Sequence, residues 1–135
     1  MILVARVRAM ALVARVRAMA NVALLIATLP VRAGDIPADV VHETEHSLAF
    51  RDLEPQAPTH VLVIPRAHYP NAAELAAGNP DAAVDLVTAA GAVAAQEGLD
   101  AGYRMVFNTG AAAHQTVFHA HLHVLAGRSM GWPPG

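Results

Sequence analysis

Val117-Phe118-His119-Ala120-His121-Leu122-His123-Val124-Leu125-Ala126-Gly127 alternates histidine with apolar residues at a period of two. That period belongs to a β-strand, in which successive side chains point to opposite faces. The pattern predicts a last strand over Val117–Ala126, with Phe118, Ala120, Leu122 and Val124 turned into the core. His119, His121 and His123 then share the other face, about 6–7 Å apart along the strand. Packing does not explain three imidazoles in register, because each would need its own hydrogen-bond partner. Two chemistries fit. Neutral imidazoles are good zinc ligands, and Asp52 or His60 could approach in space to complete a set. Alternatively, one imidazole attacks phosphorus while its neighbours manage tautomers and protons.

The residues just upstream favour the second chemistry. Asn108-Thr109-Gly110 and His114-Gln115-Thr116 place amides, hydroxyls and small residues immediately before the histidines. Such a turn offers backbone N–H groups and side-chain donors to a phosphate oxyanion, which a metal site would not need.

Outward from this stretch, short strands alternate with turns. Val40–Thr44 and Leu48–Arg51 read as a hairpin around Glu45-His46. Thr59–Ile64 is a continuous apolar run, read as a central strand halted by Pro65. Asn71 caps a short helix through Leu75. Asn79-Pro80-Asp81 opens a long helix. That helix runs to about Glu97 and ends at Gly98, with Val84, Leu86, Val87 and Val93 expected inside. Tyr103–Asn108 reads as a further strand. The whole is an α+β domain with an antiparallel sheet.

The chain has 135 residues, no cysteine and a formal net charge of −2. These values exclude a disulfide framework, a thiol nucleophile and a strongly basic nucleic-acid binder. The average hides a division. Residues 1–34 hold five arginines and no acid, giving +5, whereas residues 35–135 hold four arginines and eleven acids, giving −7. Within the first segment LVARVRAMA (3–11) recurs at 12–20. An odd repeat puts its two copies on opposite sides of a helix or strand, so it builds no amphipathic face. Residues 1–34 are therefore read as a leader outside the domain, extraneous or misframed, with an export signal as the alternative. The apolar run Val22–Leu29 is too short to span a bilayer.

The triad His119-Ala-His121-Leu-His123-Val-Leu resembles the signature of the histidine-triad (HIT) superfamily. IPADVV (36–41), LAFRDLEPQAPTHVLVIPRAH (48–68), GYRMVFNTG (102–110) and QTVFHAHLHVLAGRSMGWPPG (115–135) are similar, in order, to its Hint branch, the purine nucleoside phosphoramidases. The resemblance covers about residues 33–135. It implies an α+β HIT fold, an antiparallel sheet with one long and one short helix, paired into a homodimer with a continuous sheet. It also implies hydrolysis of the P–N bond of purine nucleoside 5′-phosphoramidates through a nucleotidyl-histidine intermediate. His121 would be the nucleophile, His123 and His119 would support it, and His60 would complete a relay. Asp52 would bind the ribose hydroxyls; Phe50, Leu53 and Ile36 would wall the purine; Asn108, Gln115 and Thr116 would hold phosphate. Trp132 would lie near the partner's site.

No cofactor or metal, no nucleic acid and no membrane partner is expected. The place of action is cytoplasmic, or outside the cell if the leader is a signal. The alternatives are a nucleotide-binding HIT protein with little catalysis and a dinucleoside polyphosphate hydrolase, which the WPPG tail disfavours. A zinc-binding protein is a further alternative. The chain departs from the family at His114, where glycine is usual, and before Ile36, where the usual Phe-Cys-x-Ile-like segment is missing.

Overall fold

A computed structural model describes residues 39–135. The leader, the boundary of the domain at residues 34–35 and Ile36 lie outside the described residues. The elements are β1 (Val40–Glu43), β2 (Ser47–Arg51), β3 (Thr59–Pro65), α1 (Ala72–Gly78), α2 (Pro80–Gln96), β4 (Arg104–Val106) and β5 (Leu122–Ala126). The strands form one antiparallel sheet in the order β1-β2-β3-β5-β4. The fold is the expected α+β arrangement of an antiparallel sheet with one long and one short helix.

Local chemistry sets the element ends. The Asn71 side chain accepts from the Glu74 amide and caps α1. Asn79 closes α1, its N–H bonding the Leu75 carbonyl, and opens α2, its side chain accepting from the Ala82 amide at 3.2 Å. Pro80 at the first turn of α2 lacks only an N–H that a helix start leaves unpaired. Gly98, at φ +68°, takes the left-handed conformation that ends the helix. The β1–β2 turn is tied to α2, because Thr44 and Ser47 both donate hydroxyl protons to Asp85 Oδ2, at 2.6 and 2.5 Å.

The helices cover one face of the sheet. Ala82, Leu86, Ala89, Ala90, Val93 and Ala94 form the buried stripe of α2. They pack on Ala49, Val61, Val63, Ala120, Leu122 and Val124. Val84 and Val87, expected inside, are 66% and 47% exposed. Position 84 lies about 160° around the helix from Leu86, on the outer side, and position 87 about 100° from it, at the edge of the stripe, so angle limits the burial of both. The opposite sheet face carries Leu48, Phe50, His60, Leu62, Ile64 and His123, as the paired registers require.

The last strand is half its expected length. Strand β5 begins at Leu122, opposite Val63, and residues 117–121 leave the ladder. Continued pairing would set Ala120 against Pro65, which has no N–H to contribute. The Ala120 amide bonds the Tyr69 carbonyl instead, at 2.7 Å. Phe118, expected in the core, is consequently 53% exposed. The Tyr103–Asn108 strand is likewise limited to Arg104–Val106 at the sheet edge.

Leu86→Ala should therefore cost about 2–5 kcal/mol of unfolding free energy, whereas Val84→Ala should stay within about 0.5 kcal/mol. Urea denaturation of the two variants checks the assignment of the stripe.

Candidate active site

The histidines converge by two routes. His60 on β3 and His123 on β5 project from the same sheet face, on adjacent strands, as the register of Leu62 with His123 shows. His119 and His121 precede β5 on irregular chain, so the three triad imidazoles do not share one strand face as expected. His121 still meets His123, with ring centroids 4.9 Å apart. His119 turns away toward the end of β3.

Hydrogen-bond partners assign the tautomers. The Gln56 amide donates to His60 Nδ1 at 3.0 Å. Neutral His60 therefore carries its proton on Nε2, 2.9 Å from His123 Nδ1, which accepts it. That leaves the His123 proton on Nε2, a buried atom with no partner among the described residues. His121 Nδ1 lies 2.8 Å from the His119 carbonyl, an acceptor only, so His121 holds its proton on Nδ1 and its lone pair on Nε2. His119 Nε2 donates to the Pro65 carbonyl at 2.9 Å. Its Nδ1 lies 2.9 Å from Nδ1 of His68, with the two rings stacked.

Burial keeps all four groups neutral. His119 and His123 are each lowered to about 4, first by desolvation. The His119–Pro65 bond opposes the shift at His119, while neighbouring histidines add to it at both. His121 and His60 are also lowered by desolvation, against the opposing attraction of Asp52. An imidazolium at His123 would additionally set an N–H against the His60 N–H.

The remaining expected residues are distributed as follows. Asp52 follows β2, with Oδ2 3.5 Å from His60 Nε2 and Oδ1 accepting from the Glu54 amide. Leu53 is 46% exposed beside it. Phe50 is fully buried on the sheet face that also carries His60 and His123. Its register partner Leu62 lies beside it on the neighbouring strand. Asn108 is half-buried and Thr116 exposed, flanking the 3-10 turn Ala111–Ala113.

Gln115 is buried, with both amide hydrogens engaged by the Pro70 and Val117 carbonyls. Its Oε1 accepts from the Gly110 amide. It braces the loop instead of offering donors to phosphate, because a buried amide must satisfy itself on the nearest backbone. His114 does adopt φ +62°, the left-handed conformation that strains a non-glycine residue. Trp132 stands 86% exposed.

His68 and the Gln56 amide received no role from the sequence. His68 lies three residues past a strand end, outside any periodic pattern, and Gln56 acts through its backbone. A cleft of about 600 Å³ between Ala101–Arg104 and Gly127–Met130 contains none of these histidines in its lining. Asp52, His60 and His123 each offer one ligand atom within 4.8 Å of the others, a set that could hold a metal ion.

The HIT domain family matches residues 33–130. The chain belongs to the HIT domain family. An uncharacterized HIT-like protein of Synechococcus elongatus is 52% identical over 75% of this chain and 89% of its own length. A 14 kDa zinc-binding protein of Zea mays is 47% identical over 75% and 80%. Among solved structures, a HIT family hydrolase from Legionella pneumophila superposes with a TM-score of 0.71 at 46% identity, covering 76% of this chain and 92% of that one. A histidine triad nucleotide-binding protein from Candida albicans gives 0.64 at 30% identity, covering 74% and 77%. The HIT fold is thus shared with proteins described as hydrolases and as nucleotide-binding proteins.

The buried neutral histidines make this HIT domain acid-sensitive. The unfolded chain takes up a proton at His119 near 6.5 and the folded chain only near 4. Between those values the unfolded state binds more protons, so stability falls as pH drops from about 6.5 to about 4 and is flat above. His119 alone should remove about 3 kcal/mol across that window. Urea midpoints measured at pH 7.5, 5.5 and 4.5 check the slope, which should be absent above pH 7.

Proposed function

We propose that the chain is a HIT hydrolase of the Hint type, cleaving the P–N bond of purine nucleoside 5′-phosphoramidates. The observation carrying this reading is the pair of opposed nitrogens. His121 is anchored through Nδ1 and exposes a lone pair on Nε2, while His123 aims an unpartnered Nε2–H from the neighbouring ring. One is a nucleophile and the other a donor for a phosphoryl oxygen.

In the proposed cycle His121 Nε2 attacks the α-phosphorus, the P–N bond breaks, and the nitrogen takes a proton from solvent as the amine leaves. Water then attacks the nucleotidyl-histidine and gives up a proton to solvent, the bond from phosphorus to Nε2 breaks, and the nucleoside monophosphate leaves with the lone pair returned to Nε2. The Gln56–His60–His123 chain holds the donor's proton on the side facing the phosphate. Desolvation keeps His121 unprotonated at neutral pH, so its nucleophile is available without a separate base.

Asp52 would accept the ribose hydroxyls, Leu53 and Ile36 would line the purine, and Asn108 and Thr116 would hold phosphate. The outer edge of β4 carries exposed Tyr103, Met105 and Phe107 nearby. This suits pairing of two copies through that edge, with Trp132 reaching the partner's site. Among the described residues, no helix is long and apolar enough to cross a membrane.

His121→Ala should abolish turnover of adenosine 5′-phosphoramidate, and His123→Ala should lower kcat by about 10²–10⁴-fold. Trapping of a nucleotidylated chain in the parent and its absence in His121→Ala would check the covalent step. Wild-type rates in the alanine variant would refute it.

A second reading is zinc binding, which the Asp52-His60-His123 set and the name of the maize relative support. The two readings separate by chelation. A phosphoramidase of the proposed kind should keep full activity after exhaustive dialysis against EDTA, whereas a zinc-dependent protein should lose it and regain it with added zinc.

A further inference from the structure

The proposed cycle leaves one histidine pair without a task. His119 is fully buried, and both its ring nitrogens are taken, Nε2 by the Pro65 carbonyl and Nδ1 by His68. As it stands, no proton of its ring is free for phosphate or leaving group. What His119 gives to His121 is its backbone carbonyl, which accepts the Nδ1–H at 2.8 Å and so decides which nitrogen of His121 is nucleophilic. The orientation of that carbonyl is the quantity to be held.

The Ala120 amide, bonded to the Tyr69 carbonyl, pins the peptide from its other side. The His119 ring pins it through the side chain, and only one arrangement of protons allows this. Because the Pro65 oxygen is solely an acceptor, His119 Nε2 must donate and His119 Nδ1 must accept. The hydrogen at the 2.9 Å contact therefore comes from His68 Nδ1. His68 itself sits on the exposed loop after β3, far in sequence from the triad.

We propose that His68 is a positioning residue for the nucleophile, donating through Nδ1–H to His119 so that the His119 carbonyl holds His121 in its Nδ1–H tautomer. The proposal rests on the covalent reading given above for its kinetic consequence, while its structural part stands on the ring contacts alone. Removing the donor leaves a buried acceptor unpaired and frees the His119 ring to turn. The His121 ring loses its fixed acceptor in turn, and the fraction of molecules with the lone pair on Nε2 falls.

The test compares the full chain with His68→Asn and His68→Leu. Asparagine places an amide N–H near the position of Nδ1, whereas leucine fills similar space with no donor. Long-range ¹H–¹⁵N correlation spectra of ¹⁵N-histidine-labelled protein report the His121 tautomer without requiring activity. Adenosine 5′-phosphoramidate kinetics report its consequence.

In His68→Leu, His121 should change from Nδ1–H to a mixture of tautomers. Its kcat should fall on the order of 10- to 100-fold with KM within about twofold. His68→Asn should restore both. A His68→Leu protein with an unchanged His121 signature overturns the proposal, and so does a His68→Asn protein as impaired as the leucine variant. If His68→Leu does not fold, His68→Asn decides alone, since the proposal requires its His121 signature to match the parent. Should the parent lack phosphoramidase activity, the covalent reading fails while the tautomer comparison still judges His68.

Discussion

Pro65 is the residue on which the site depends. Its missing N–H ends the β3–β5 ladder and lets the chain before Leu122 leave the sheet. Its carbonyl, left over by the same event, accepts the His119 ring at 2.9 Å. One proline thus releases the histidine-bearing segment and gives it a new anchor. Had the ladder continued, His119, His121 and His123 would stand in a row, all alike. Instead His119 becomes a buried strut, His121 an anchored ring with a free lone pair, and His123 a donor.

The chemical differences among these rings come from their partners more than from their own character. An isolated imidazole titrates near neutrality and exchanges its tautomers freely. Here backbone groups with only one possible role, the Gln56 amide, the Pro65 carbonyl and the His119 carbonyl, remove that freedom in succession. Desolvation adds to this by suppressing the charged forms. The result is a set of neutral rings with assigned protons, obtained from contacts between loop and strand ends.

Much of the framework was legible in the sequence. The hairpin at Glu45-His46, the central strand halted by Pro65, the Asn71 and Asn79 caps and the Gly98 stop are local events, and each appears within a residue or two of its expected place. Apolar character alone does not fix burial. Val84 is hydrophobic but opposite the buried stripe, Val87 sits at its edge, and Phe118 alternates correctly in a segment that is not a strand. Residue type leaves the Gln115 amide open to any acceptor, and its burial commits both amide hydrogens to carbonyls.

By itself, the sequence determined the element order, the sheet class and the cluster of histidines at the final apolar strand, because turn residues, caps and periodicity act within a few positions. It also separated a basic, duplicated first segment from an acidic remainder. Only the tertiary structure decided which partner each histidine nitrogen meets. Those contacts come from distant parts of the chain: His60 against His123 across 63 residues, Pro65 and His68 against His119 across more than 50. No spacing in one chain encodes which nitrogen faces a carbonyl. That follows from where the backbone ends its ladder and which acceptors it leaves behind.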